Sequence, residues 1–241
     1  MSGGGLREAL SFLTPLSPPA ATLSPKAAAY FPLAGAVIGS AEGLGWSLAR
    51  RAAPPRVAGV LTTLVGVALT GALHLDGLAD TADGLLSAPQ AKDRLEIMAE
   101  PAVGSYGAMA VALSLLGRAA ALSELSPSPA LLAGLACGSR SVMVLAASWL
   151  PYARREGLGA AIVPEPAARR KITLAGGGGL AAGALLARLG HERGLHAFLA
   201  GLAAAGACLE LARRRIGGFT GDVLGAAGTL FETVGLMAAA R

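Results

Sequence analysis

Apolar residues in this chain come in long, nearly unbroken runs, not at alternating or one-in-three positions. Seven such runs stand at 30–49, 57–75, 103–122, 130–150, 172–189, 195–211 and 223–240. Each has about 20 residues, enough for a helix to cross a hydrocarbon core of about 30 Å. Backbone polar groups in lipid must be satisfied within the segment, so runs of this length predict helices. The pattern therefore predicts an all-α, polytopic membrane helix bundle of about seven transmembrane helices. The number is six if the glycine-rich fifth run (176–179) or the last does not cross. Residues 1–25, mildly amphipathic and with several prolines towards their end, read as an interfacial lead. No internal repeat and no long linker divides the chain, so 1–241 reads as a single integral-membrane domain.

Composition sharpens this picture. Hydrophobic residues make up 54% of the chain and charged residues 15%, against about 25% charged in a soluble domain. The 34 glycines suit close helix packing in lipid. The net charge of +5 is no nucleic-acid footprint, because the basic residues sit in short loops between apolar runs. Cys137 and Cys208 each lie inside a run without a nearby second cysteine, which argues for small core residues over a disulfide or zinc site. Residues 1–5 lack the basic start and short apolar core of a cleavable signal.

The loops also orient the chain. With the N-terminus inside, twelve of the 20 Lys and Arg residues fall on the cytoplasmic side and six outside, leaving Arg118 and Arg140 within spans. That bias places a prokaryotic cytoplasmic (inner) membrane protein with its N-terminus in the cytoplasm.

The acids then stand out. All five aspartates lie in 76–93 or at 222, both on the predicted cytoplasmic face. Asp76, Asp80 and Asp83 are spaced i, i+4 and i+7, which lines them along one face of a helix. They are set among Leu75, Leu78, Ala79, Ala82, Leu85 and Leu86. Carboxylates so close in apolar surroundings need protons or a cation. Hard oxygen ligands suit Mg²⁺ or Mn²⁺, often shared with a phosphate. Asp222 follows the glycine-rich turn 217–221 and opens the last run, as a helix N-cap or as part of an anion site. Arg140, within a span, should face the protein interior and pair with an acid or a phosphate. Arg154 and Arg155 serve either the positive-inside bias or phosphate binding. Arg94 and Glu96 belong to a solvated loop helix or a substrate clamp. His74 is an interfacial polar tip or a ligand.

Five stretches together resemble one family. They are His74–Gly84, Arg94-Leu95-Glu96-Ile97-Met98, Val103-Gly104-Ser105-Tyr106-Gly107, residues 152–159 and the block from Gly217 to Ala227. With Phe31-Pro32-Leu33-Ala34-Gly35, they resemble the adenosylcobinamide-GDP ribazoletransferase (cobalamin synthase) family over nearly the whole chain, in motif order. The chain departs from the family pattern at Ala99–Ala102 and at Thr229, where a glutamate is usual.

The resemblance implies a transferase of the cobalamin pathway that joins adenosylcobinamide-GDP to α-ribazole, or to its 5′-phosphate, and releases GMP, with Mg²⁺ as cofactor. It implies Asp76, Asp80, Asp83 and Asp222 as metal ligands, and Asp83, Asp222 or His74 as the group that takes the hydroxyl proton. Arg94, Glu96, Arg140, Arg154, Arg155, Gly218, Thr220 and Gly221 follow as the substrate-binding set. Membrane lipid surrounds such a protein, and a homo-oligomer or an association with other cobalamin-assembly enzymes is compatible with it. Two other readings stay open. Asp80-x-x-Asp83-Gly84 is similar to CDP-alcohol phosphotransferases, although their following Ala-Arg is absent. An ion-coupled transporter would use intramembrane acids, but near the midplane and usually in repeated halves.

Overall fold

The structure, a computed structural model, describes residues 4–18, 23–87, 90–154 and 156–240. Ten α-helices follow one another: α1 (Gly4–Leu13), α2 (Phe31–Ala52), α3 (Pro55–Thr70), α4 (Leu73–Ser87), α5 (Ala91–Ile97), α6 (Ser105–Glu124), α7 (Pro129–Trp149), α8 (Pro166–Gly190), α9 (Gly194–Ile216) and α10 (Gly221–Ala239). Short 3₁₀ turns at Ala27–Tyr30 and Leu158–Ile162 complete them. Among the described residues the only β-pairing is an isolated bridge between Tyr152 and Phe219.

Local chemistry sets the boundaries. Proline occupies the first turn of α2, α3, α7 and α8, where its missing N–H costs nothing and its fixed φ fits. Ser128 caps α7 by accepting from the Leu131 N–H at 3.2 Å. Gly71 and Gly217 end α3 and α9 in the left-handed region, at φ 59° and 79°, a conformation that glycine adopts without strain.

The centre of the bundle is α7. Its residues are buried almost all round, as a helix apolar on every side should be, and it packs against α2, α8, α9 and α10. A stripe on α2, Gly35, Gly39 and Gly43, makes one of these close approaches. A Cβ at these positions would lie 2.4–2.5 Å from Ala136 O, Leu132 O and Pro129 Cα. Small residues four apart let two backbones touch, as membrane helices require.

Five helices, α6 to α10, are long and apolar enough to cross a membrane, and the α3–α4 pair makes six if counted as one span. The count comes nearest to the lower expected number, six, but through two features other than those expected. The run 57–75 does not continue straight: at Gly71 and Ala72, the latter also at positive φ, the chain turns, and α4 leaves α3 at 92°. The run 30–49 does form a helix of 22 residues, α2, but it carries the buried Glu42 and is not among the spans met by length and composition. The lead is also more than a surface rider. In α1, Ala9 and Leu13 are fully buried, and Glu8 accepts from the N–H and hydroxyl of Ser24 at 3.1 and 2.6 Å.

Inside the bundle lies a set of ion pairs. Arg118 on α6 grips Glu42 on α2 at 2.7 Å and reaches Glu232 on α10 at 3.3 Å. Arg140 on α7 pairs with Glu232 in turn, and Ser139 donates to the same carboxylate at 2.8 Å. A cavity of about 60 Å³ adjoins them, lined also by His74, Thr70, Ser114, Thr229 and Thr233.

Candidate active site

The bend at Gly71–Ala72 lays the aspartate helix across one end of the bundle. There α4 meets the N-terminal ends of α6 and α10 and the loop that follows α7. Two glycine contacts set the fit between α4 and α10. A Cβ on Gly77 would stand 2.7 Å from Asp222 O, and one on Gly225 would stand 3.2 Å from His74 Cα. The Thr229 hydroxyl fastens the pair by donating to His74 O at 3.1 Å. The position where the family usually has glutamate thus carries a helix–helix bond here.

The three aspartates share a stripe but not a neighbourhood. Seven residues of helix separate Asp76 from Asp83 by about 10 Å along the axis. At the far end, Asp83 is 7% exposed and accepts from the N–H groups of Gly104 at 2.7 Å and Gly107 at 2.9 Å. It caps the start of α6, satisfying amides that a helix N-terminus leaves open. Each oxygen accepts one backbone N–H, which holds the carboxylate at the start of α6. At the near end, Asp76 lines a cavity of about 140 Å³ together with Asp222 and His74. Asp80 stands between them: the charges acting on its carboxylate are those of Asp222, Asp76, Arg154 and Asp83.

Asp222 enters through a well-determined turn. Thr220, fully buried, caps α10 by accepting from the Val223 N–H at 3.3 Å, and its hydroxyl lies 3.2 Å from Asp222 Oδ2. Arg154 reaches the same oxygen at 3.0 Å. No bond among the described residues reaches Oδ1. The loop is held in place by backbone bonds from Phe219 N to Pro151 O (2.9 Å) and from Ala153 N to Phe219 O (2.8 Å). Burial raises the Tyr152 phenol above its ordinary range, against the opposing pull of Arg154, so at neutral pH it is an uncharged wall of this loop.

Several residues expected to bind substrate do other work. Arg94 is 6% exposed; its guanidinium donates to Gly84 O at 3.2 Å and to Leu85 O. With Arg215, which also reaches Leu85 O, it caps the C-terminus of α4, where carbonyls lack partners and cations are favoured. Glu96 points to solvent and, among the described residues, meets only Lys92, at 3.6 Å, the solvated alternative. Arg140 is 2% exposed and takes the acid over the phosphate: it is bound to Glu232, and its other arm lies 3.3 Å from His74 Nδ1. Gly218 is buried where a Cβ would collide with Pro151 O at 2.0 Å, so its task is loop closure, and that of the buried Thr220 is capping. Gly221 does line the cavity. Arg155 lies outside the described residues.

Sequence reasoning missed the other walls of the cavity: Phe12, Phe31, Met143, Gly159, Ile162 and Leu224. They come from five separated stretches, and nothing in their spacing joins them. Glu42 and Glu232 were missed too, although a signal existed: each is a single acid inside an apolar run, matched in number by Arg118 and Arg140.

The donor chemistry suits a hard divalent cation. Asp76, Asp80 and Asp222 stand close, with Arg154 as the cation facing them. Among the described residues no three His, Cys, Asp or Glu side chains are grouped into a metal site of their own. Mg²⁺ does not ask for one, since it keeps several waters and is bound through one or two carboxylates plus substrate phosphates.

The sequence model of the cobalamin-5-phosphate synthase family matches residues 5–240. The adenosylcobinamide-GDP ribazoletransferase of Syntrophobacter fumaroxidans is 39% identical to this chain, over 96% of each. The enzyme of the same name from Azorhizobium caulinodans is 43% identical over 86% of this chain and 80% of its own. That of Escherichia coli is 35% identical over 86% and 85%. No solved structure matches.

Proposed function

The chain belongs to the cobalamin-5-phosphate synthase family and is a transferase of cobalamin biosynthesis, and from that premise we propose that it joins adenosylcobinamide-GDP to α-ribazole, or to its 5′-phosphate, with release of GMP. One observation carries this reading: carboxylates of two different helices, Asp76 and Asp222, line one cavity at the bundle end, beside Asp80. Phosphoryl transfer needs little covalent help from a protein; positioning and charge neutralisation do most of it.

Asp76 and Asp80, one turn apart on α4, would hold Mg²⁺. When bound, the ion would neutralise the diphosphate and the departing GMP. The ribose hydroxyl of the acceptor attacks the cobinamide-side phosphorus. A new P–O bond forms, the P–O bond to GMP breaks, and GMP leaves with the electron pair. Asp222 Oδ1, unengaged among the described residues, accepts the hydroxyl proton. Of the other two candidates for that task, Asp83 already accepts two N–H groups. His74 Nδ1 faces the Arg140 guanidinium, which can only donate. Arg154, held against Asp222, is the basic residue placed to meet phosphate. The same bundle end collects Arg154 and Arg215 with α5 and its Lys92 and Arg94, which supports an active site on the cytoplasmic face of the inner membrane.

The test is turnover in nanodiscs with adenosylcobinamide-GDP, α-ribazole and Mg²⁺, following GMP and cobalamin by chromatography. Product that disappears with EDTA and in Asp80→Asn supports both reaction and site. Absence of product from well-folded protein would refute the reading.

A further inference from the structure

The cavity beneath Asp76 and Asp222 has two kinds of lining. One is polar and acidic, with His74, Asp76 and Asp222. The other is apolar, with Phe12, Phe31, Met143, Ile162 and Leu224. Phe12 and Phe31 stack on one another, ring centres 5.8 Å apart and planes within 16°, so each ring fixes the other's orientation in the aromatic wall of the cavity. That wall is assembled from parts far apart in sequence. Phe12 comes from α1, anchored over the bundle by the bonds from Ser24 to Glu8. Phe31 opens α2 and is 1% exposed. A bundle needing only stability has no reason to leave space beside such a wall, since voids are costly in a well-packed interior.

Size and charge select what fits. At about 140 Å³ the cavity is smaller than the ~300–1,000 Å³ of sites that enclose a whole drug-sized ligand, so it takes one moiety of a substrate. A corrinoid is too large for it. A guanine nucleotide brings phosphates and a base rimmed with polar groups, which an aromatic and aliphatic wall would leave unpaired. The remaining piece is the base of the acceptor nucleoside, which is flat, uncharged and attached to the ribose whose hydroxyl must reach the acidic residues.

Resting on the reaction proposed above, we infer that the Phe12–Phe31 wall, with Met143, Ile162 and Leu224, is the subsite for the heteroaromatic base of the acceptor. The acceptor enters base first, its ring against the aromatic wall, and its ribose comes to lie between His74, Asp76 and Asp222. The wall then sets which bases are accepted: an apolar bicyclic base is favoured over one with exposed ring nitrogens and an amino group, whose polar edge finds no partner there.

Steady-state kinetics on the full-length protein in nanodiscs tests this with Phe12→Ala and Phe12→Tyr, each substrate varied against a saturating concentration of the other. Phe12 is half-buried, so its replacement spares the fold; Phe31→Leu provides a second, volume-conserving probe. In Phe12→Ala the KM for α-ribazole should rise about tenfold, the size of one lost aromatic contact, while kcat and the KM for adenosylcobinamide-GDP stay within about twofold. Phe12→Tyr should restore most of the loss. The preference for a benzimidazole riboside over an adenine riboside should shrink in Phe12→Ala. Equal rises in both KM values, or none, overturn the subsite while leaving the reaction intact. Equilibrium dialysis of α-ribazole alone separates the remaining cases: Phe12-dependent binding without turnover keeps the subsite and removes the reaction, and no binding removes both.

Discussion

The bundle holds two clusters of charge, and they are built on opposite plans. Deep between α2, α6, α7 and α10, two acids meet two arginines: Glu42 and Glu232 against Arg118 and Arg140. The charges balance, and each carboxylate is bonded. At the end of the bundle three aspartates meet one arginine among the described residues, Arg154, and a cavity opens beside them. A buried charge that the protein itself neutralises holds helices in register. A cluster left short of positive charge at an opening would be stabilised by a cation, as the proposed reaction requires. His74 lines both cavities and is the side chain through which the two regions touch.

The largest effect that would test this contrast falls on the unbalanced cluster. Asp80→Asn and Asp76→Asn should each lower kcat at least about 10²-fold, in the range of losing a preorganised electrostatic contributor, while the unfolding midpoint in detergent holds or rises as like-charge repulsion is relieved. Retention of most activity by either variant would remove the metal assignment. The balanced cluster should respond in the reverse way. Glu232→Gln leaves Arg140 without its carboxylate while Arg118 keeps Glu42, and stability should drop by about 3–5 kcal/mol, as for a broken buried pair. Removing Arg140 as well, in Glu232→Gln/Arg140→Met, should recover much of that loss. If the double variant is no better than the single, the network is more than an ion balance.

A smaller effect tests the geometry that joins the regions. Gly77→Ala pushes a methyl group to within 2.7 Å of Asp222 O, so α4 and α10 must separate. Overpacking of this kind costs about 1–3 kcal/mol, and displaced carboxylates lower turnover further. A crosslink or spectroscopic distance between α4 and α10 should lengthen in step with the loss of rate. The smallest effect is expected at Glu96. Its side chain is exposed and, among the described residues, meets only Lys92, so Glu96→Gln should match the unaltered protein in turnover and unfolding midpoint; a marked rise in KM would return it to the substrate clamp.

These contrasts were visible in the sequence to different depths. The helical runs, the aspartate stripe and Asp222 could be read directly, because hydropathy and the helical period act over neighbouring residues. The fates of the arginines could not. Arg94 and Arg154 are both basic loop residues beside acidic motifs, yet one caps a helix and the other faces the cavity. Which carbonyl or carboxylate each reaches depends on where distant segments come to rest. Asp83 teaches the same lesson: its spacing joins it to Asp76 and Asp80, but the start of α6 claims it.

By itself, the sequence determined that this is a helical membrane bundle with its aspartates gathered in two stretches, because apolar length and charge placement are local quantities that lipid and water enforce. Tertiary structure alone decided the rest. It bends the third helix at Gly71–Ala72, brings Asp222 against Gly77, gives Arg140 to Glu232 and assembles the Phe12–Phe31 wall. Each of these outcomes depends on close approach between segments tens to hundreds of residues apart, and side-chain chemistry there is settled by whichever partner the packing delivers.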